Sequence, residues 1–294
     1  MTKKVICFGE VLYDVFPTHR KIGGAPLNVA IRMASLGINT QIISRVGNDE
    51  IGKELVQFIE ENGVDTSSIQ IDETFPTGEV IVKLDSKGSA SYTINYPVAW
   101  DKIACVPEDE INVKKADALI FGSLVCRDSV SHQSLLEIIN YAKYTVFDVN
   151  LRAPFYTKEL LINLMMQADF IKFNDDELYE ISEYMNSPYN SLEQNIRFIS
   201  EKTNTNHICV TKGNHGAVLY YDGKLHYNSG YKINVVDTVG AGDSFLASLL
   251  AKLLLGNDPQ NAIDFACAMG ALVAQSEGAN PKISNDSVAE FMKI

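Results

Sequence analysis

Short apolar runs that end in Gly or Asn recur along this chain, and a stretch patterned as a helix follows almost every one. Val5-Ile6-Cys7-Phe8-Gly9 is the first. A continuous apolar run of that length fits a strand buried on both faces of a sheet. Ala25 to Leu36 then places Val29, Ile31, Met33, Ala34 and Leu36 at helical intervals, and Gly37 supplies the stop. Gln41 to Gly47 reads as the next strand and Ile51 to Asn62 as the next helix, closed by Gly63. After a gap the alternation resumes. It predicts strands at Ala118–Gly122, Thr145–Asn150, Phe170–Asn174, His207–Thr211 and Ala217–Tyr221. The helices predicted among them are Val130–Lys143, Lys158–Gln167, Asp176–Met185 and Leu192–Thr203, with Gly242–Leu255 and Pro259–Gln275 closing the chain. Strand followed by helix followed by strand demands right-handed crossovers, so the fold class is α/β: a doubly wound, mostly parallel sheet flanked by helices.

The gap has a different period. Gly78–Leu84 and Ser89–Asn95 alternate polar and apolar residues around Asp85-Ser86-Lys87-Gly88, which reads as a hairpin with one wet face. With no linker, repeat or low-complexity block to divide the chain, residues 1–294 read as one domain carrying a small β lid. That lid is formed by about 11–22 and 76–101.

Charge narrows the partners. The chain has 37 Asp and Glu against 25 Lys and Arg, a formal charge of -12. Such a surface repels nucleic acid and anionic lipid. No apolar stretch approaches the roughly 20 residues of a membrane span, and no signal-peptide core follows Met1, so a cytoplasmic location is expected. Cys7, Cys105, Cys126, Cys209 and Cys267 are scattered, without zinc spacing, and read as reduced thiols.

Gly240-Ala241-Gly242-Asp243 lies between the extended segment Tyr231–Val236 and a helix rich in Ala and Leu. Small residues there let successive N–H groups point outward from a helix start, forming a cradle for an anion. Asp243 at its mouth suits a base that takes the proton of an attacking hydroxyl. It equally suits an ordinary helix start, where the macrodipole favours an acid by about 0.3 to 1 kcal/mol.

Asp237-Thr238-Val239-Gly240-Ala241-Gly242-Asp243 resembles the C-terminal signature of the ribokinase-like (PfkB) family of carbohydrate kinases. Gly23-Gly24-Ala25-Pro26-Leu27-Asn28-Val29-Ala30, with Gly37 and Gly47 beyond, is similar to the N-terminal signature. Gly9-Glu10, the hairpin, Asp148-Val149-Asn150-Leu151-Arg152, Asn174-Asp175-Asp176-Glu177 and Thr211-Lys212-Gly213 extend the resemblance over nearly the whole chain. It implies ATP-dependent phosphorylation of a sugar hydroxyl, with Asp243 as base and the backbone of Gly240, Ala241 and Gly242 as anion hole. Asn174, Thr211, Gly213, Gly216, Gly242 and Cys267 would line the ATP site, although relatives often carry a polar residue where Cys267 stands. Asn174 and Glu177 resemble the family's N-x-x-E motif, with Glu177 acting on Mg²⁺ through water; a hydrated Mg²⁺ needs few direct protein ligands. Asp237 and Val239 look like the monovalent-cation (K⁺) site of some members.

On the sugar side the implied ligands are Asp14, Gly23, Gly24, Asn28, Asn150 and Arg152. A carboxylate such as Asp14 can hold two hydroxyls through charge-assisted hydrogen bonds. Leu12 and Tyr13 precede Asp14 where ribokinases usually show an Asn two residues earlier, and Gly9–Pro17 instead resembles the opening of fructokinases. Fructose is therefore the first choice, with 2-keto-3-deoxygluconate or ribose as alternatives and a non-catalytic sugar or nucleotide sensor as the rival of another class. Ser248 replaces the Ala or Gly usual in the signature. Trp100 beside the lid suits either the apolar face of a sugar or the core of a hinge. Lids of this kind pair into homodimers in the family.

Overall fold

The computed structural model describes residues 2–84 and 90–293; the expected turn at Asp85–Gly88 lies outside them. The described residues begin with β1 (Lys4–Phe8), β2 (Leu12–Val15), β3 (Arg20–Gly23), α1 (Ala25–Ser35), β4 (Asn39–Gly47), α2 (Glu50–Glu61) and β5 (Ile69–Asp72). Then come β6 (Gly78–Leu84), β7 (Ala90–Ile94), α3 (Pro107–Lys115), β8 (Ala118–Gly122), α4 (Ser129–Ile139) and β9 (Thr145–Asp148). The chain continues with α5 (Lys158–Met165), β10 (Phe170–Asn174), α6 (Asp175–Tyr184), α7 (Leu192–Thr203), β11 (His207–Thr211), β12 (Ala217–Tyr221) and β13 (Lys224–Asn228). It closes with α8 (Ala241–Leu254), α9 (Pro259–Ala274) and α10 (Asn285–Phe291).

The main sheet runs β13-β12-β11-β10-β9-β8-β1-β4-β5, parallel from β5 to β11 and antiparallel only at β12 and β13. Alternate residues of β1 face opposite ways. Val5 and Cys7 pack with α1, α2, α8 and α9, whereas Ile6 and Phe8 pack with α3 to α7. Both faces are covered, which is why these strands read as continuous apolar runs. The chain leaves β1 for β4 on one side and later returns to β8 on the other. This reversal opens a crevice at the C-terminal ends of β1 and β8, where open α/β sheets bind ligands.

A separate sheet of order β3-β2-β6-β7 stands off the main one. The sequence pattern pointed to β6 and β7 as strands and placed β2 and most of β3 within the lid segment 11–22 without marking them as strands, each being only four residues. Such short strands carry too little alternation to be read alone. β5, β13, α3 and α10 are likewise additions. α3 is mostly charged and buries only Asp109 and Val113, so it has no apolar stripe to detect. The predicted helix from Val130 to Lys143 stops at Ile139, since Asn140 takes the C-cap.

Where the small sheet joins the main body, Arg127 grips Asp101 through two hydrogen bonds of 2.7 and 2.8 Å, both side chains almost wholly buried. Arg127 also stacks over Trp100, 4.0 Å from its ring centroid, and Trp100 is fully buried beneath Gly78. Trp100 is thus hinge core and offers no face to a sugar. Among the described residues no helix is long and apolar enough to cross a membrane, and all five cysteines are free thiols. Removing one partner of a buried ion pair strands the other charge, so Asp101→Ala is expected to destabilise the fold by about 3 to 5 kcal/mol. Urea denaturation of the two proteins measures this difference.

Candidate active site

The C-terminal edge of the parallel strands gathers the polar side chains. Glu10 follows β1, Ser123 follows β8, Asn150 and Arg152 follow β9, Asn174 ends β10 and Thr211 ends β11. Two helix starts meet at this edge, because Asn28 on the first turn of α1 donates to Asp243 on the first turn of α8 at 2.8 Å. Both helices begin at a glycine, Gly24 with φ 109° and Gly240 with φ 73°, and neither receives a side-chain cap among the described residues. By contrast α2, α4, α5, α6, α7, α9 and α10 are each capped by an Asp, Asn, Ser or Thr side chain. Ala241 N–H donates to Thr238 O at 3.2 Å, and among the described residues the N–H groups of Gly242 and Asp243 are left for an outside anion.

Asp243 is half-buried, and its Oδ2 takes the Asn28 bond. Burial, with the neighbouring Asp148 charge, pushes its carboxyl up to about 6; the Asn28 hydrogen bond and the charges of Lys172 and Arg152 oppose the rise. The result is a carboxylate still ionised at neutral pH yet more basic than usual, which suits a general base. Its environment is therefore more than that of a helix-start acid.

Three neighbours, Lys172, Glu10 and Asn280, extend the constellation beyond the expected site residues. Lys172 is buried and donates to Asp148 at 3.0 Å, with its ammonium under Gly242 of the α8 turn. Its one sequence signal was a lone charge inside the run Phe170-Ile171-Lys172-Phe173. Glu10 is buried, and its carboxyl is pushed up to about 7 by desolvation, with Arg152 opposing and Asp243 reinforcing. Asn280 donates to Asn28 Oδ1 at 2.8 Å.

The expected nucleotide residues come together. Asn174, Thr211, Gly213, Gly216, Gly242 and Cys267 all line one cavity of about 340 Å³, walled on its apolar side by Val235, Phe245 and Ala271. That volume lies in the range of small-molecule sites. Gly216 needs to be glycine, since its φ is 76° and a Cβ would collide with the carbonyl of Asn228. Burial pushes the Cys267 thiol up to about 12, so it lines the cavity as an uncharged, apolar group.

Glu177 and Asn174 form a capping box: the Asn174 side chain accepts from Glu177 N at 2.8 Å and Glu177 Oε2 accepts from Asn174 N at 2.8 Å. Glu177 Oε1 accepts from Leu151 N at 2.9 Å, fixing the turn that bears Arg152. Across the crevice, Asp14 is half-buried on β2 with its carboxylate against Gly23, where a Cβ would stand 2.6 Å from Oδ2. Burial raises the Asp14 pKa, and the charges of Arg152 and Lys21 oppose it. Asn150 adopts φ 39° at the turn after β9.

Asp237 is already engaged. Its Oδ1 accepts from Val239 N at 3.0 Å, and its Oδ2 accepts from Gly278 N and from Lys21 Nζ, each at 3.2 Å. No cluster of three or more His, Cys, Asp or Glu suited to a metal occurs among the described residues.

The model of the pfkB family carbohydrate kinases matches residues 2–286. This chain belongs to that family. It is 29% identical to the fructokinase of Vibrio alginolyticus over 92% of each chain. Its fold is similar to that of an uncharacterized sugar kinase from Pyrococcus horikoshii in complex with ATP: TM-score 0.84, 27% identity, 98% of this chain and 99% of that one. A fructokinase from Vibrio cholerae O395, solved with fructose, ADP and potassium ion, superposes with TM-score 0.85 at 24% identity over 99% and 98% of the two chains. The chain is a carbohydrate kinase on the ribokinase-like fold.

Gly240 tests the anion hole. A Cβ there would meet Ala279 Cβ at 2.5 Å, on a backbone with φ 73°. Gly240→Ala is expected to displace the donors of the turn and lower kcat about 10²-fold, the typical cost of losing one such donor. An ADP-release assay on protein with unchanged circular dichroism checks it.

Proposed function

We propose that this kinase converts fructose to fructose 6-phosphate at the expense of ATP. The observation that carries the reading is the Asp243 carboxylate, held by Asn28 at the uncapped start of α8, with the cavity lined by the expected nucleotide residues on one side and Asp14, Gly23 and Arg152 on the other. Asp243 Oδ1, free of the Asn28 bond, takes the proton of the sugar hydroxyl. The hydroxyl oxygen forms the new bond to the γ-phosphorus as the bond to the β-phosphate oxygen breaks and ADP leaves. The backbone of Gly240, Ala241 and Gly242 forms the anion hole: Gly242 N–H is available to the charge on the transferred group, Ala241 N–H would have to turn from Thr238 O to join it, and the Lys172 ammonium beneath Gly242 adds a formal positive charge.

Mg²⁺ carried with the nucleotide supplies charge neutralisation on the phosphates. The residues fit it: Asp148 Oδ2, beside Lys172, is buried without a partner among the described residues, and each Glu177 oxygen keeps a lone pair for a bridging water. A monovalent cation such as K⁺ beside Asp237 and Val239 would share the carboxylate with Lys21. Asp14, Gly23, Gly24, Asn28, Asn150 and Arg152 form the sugar side, and Asn28 Nδ2 retains a second hydrogen for it. The small sheet acts as the lid that excludes water, the competitor for the γ-phosphoryl group. Tyr92, 63% exposed on β7, supports pairing of two chains through that sheet; a monomer in sedimentation at all concentrations removes this part.

Fructose is favoured by the segment Gly9–Pro17 and by curated relatives named fructokinase at 29% identity. A panel of fructose, ribose, 2-keto-3-deoxygluconate and adenosine in an ADP-release assay is expected to show the largest kcat/KM for fructose. A different winner replaces the substrate, and no turnover of any favours the sensor. In the same assay Asp14→Ala is expected to raise the sugar KM while leaving the KM for ATP unchanged.

Asp243→Asn is expected to lose at least about 10²-fold in kcat with ATP binding kept. The pH dependence has a definite sign. Only ionised Asp243 can accept a proton, so activity falls as pH drops through its raised value near 6. An acid limb near the ordinary aspartate value of about 4 would show that burial does not raise the base in this site.

A further inference from the structure

Asn28 presents its amide nitrogen, not its oxygen, to Asp243, and the structure shows what stands behind it. Asn280, in the loop after α9, donates Nδ2–H to Asn28 Oδ1 at 2.8 Å, so the Asn28 carbonyl is satisfied only while it faces away from the carboxylate. Were the Asn28 amide to turn over, its oxygen would face Asp243 and the Asn280 donor would face an NH₂ group. Both contacts would be repulsive, and the Asp243 carboxylate would lose a charge-assisted bond.

The loop is pinned from two sides. Ala279 lies flush against Gly240, with no room for a Cβ between them. Arg32, one helical turn beyond Asn28 and 2% exposed, donates Nη2–H to Pro281 O at 3.0 Å and Nε–H to Ser244 Oγ at 3.1 Å. One side chain therefore ties α1, the start of α8 and the residue after Asn280 together. The Arg32 pKa is lowered to about 10 by burial, still far above neutrality, so the tie is permanently charged.

We infer that Asn280 is a positioning residue for phosphoryl transfer: acting through Asn28, it keeps a donor on Asp243 Oδ2 and so leaves Oδ1 as the oxygen that receives the sugar proton. This rests on reading Asp243 as the base. The other charges facing Asp243 are Asp148 at the end of β9, Arg152 in the following turn, Lys172 on β10 and Glu10 after β1, with Arg32 behind on α1. None of these touches Asn280 in the hydrogen-bond network, so replacing Asn280 leaves them in place.

The test is a double-mutant cycle on Asn28→Ala and Asn280→Ala, read by the acid limb of kcat/KM for the sugar and by ¹³C NMR titration of the Asp243 carboxyl. In Asn280→Ala the limb and the carboxyl titration are expected to move up together by about 0.5 to 1 pH unit, the size of one weakened hydrogen bond to a carboxylate. KM for ATP is expected to stay unchanged. In the Asn28→Ala background the Asn280→Ala shift is expected to vanish, because the effect passes through Asn28. Equal shifts in both backgrounds, or a wild-type titration accompanied only by a lower melting temperature, overturn the inference. Should Asn280→Ala fail to fold, the near-isosteric Asn280→Asp, which presents only acceptors to Asn28 Oδ1, must raise the same limb; a wild-type limb there also overturns it. The NMR titration requires no substrate. A shifted carboxyl without turnover of any sugar sinks the kinase reading alone, and turnover with an unmoved carboxyl sinks the positioning role alone.

Discussion

One buried ammonium holds this site together. Lys172 lies on the interior strand β10 with Asp148 at 3.0 Å, and the carboxylates of Glu177 and Asp243 also bear on it. Burial alone would lower its pKa, but those three acids raise it overall, so the lysine is charged at any pH the protein meets. The dependence is mutual. Without that cation three acids crowded at one sheet edge would repel, and at least one would take up a proton. Because Lys172 sits beneath the α8 turn, the charge that reconciles the acids is also directed at the anion cradle.

The cradle depends on an omission. Most helices here close their first turn with a side chain of their own, whereas α1 and α8 start on glycines that cannot. Left uncapped, those N–H groups favour an anion supplied from outside. The glycines also let Ala279 press against Gly240 and the Glu10 carbonyl against Gly24, so the two turns are rigid although neither is internally capped. Rigidity matters because a donor stabilises developing charge only if it is already in place when the charge appears.

Much of this arrangement was legible from residues that are near one another in sequence. The apolar runs gave β1, β4 and β8 to β12, and the six residues expected around the nucleotide do line one cavity. What escaped depends on contacts between distant segments. Asn280 meets Asn28 across 252 positions, and nothing in Gly278-Ala279-Asn280-Pro281 alone indicates that its amide faces another amide. Likewise β2 and β3 are strands because they pair with each other and with β6, and four residues of pattern cannot disclose a partner. Trp100 was ambiguous for the opposite reason: its type suits both a ligand platform and a core, and its complete burial beneath Gly78, with Arg127 stacked on the ring, decides.

The value near 6 for Asp243 reflects opposed demands. A base ionised at neutral pH needs a pKa below 7, yet an aspartate at its ordinary value is a weak proton acceptor. Burial alone would overshoot, and the more so as a bound sugar replaced water between Asp14 and Asp243. Asn28, Lys172 and Arg152 set the opposite limit, since each favours the charged form. Of these, Arg152 is exposed and among the described residues hydrogen-bonds only its own neighbour's carbonyl, whereas Asn28 and Lys172 are buried and fixed by second partners, Asn280 and Asp148. Desolvation by an arriving ligand would thus be countered by donors that cannot move away. In the proposed reaction, closure of the small sheet then raises the basicity of Asp243 at the moment a hydroxyl is in place, while the fixed donors keep the carboxylate ionised until it takes that proton.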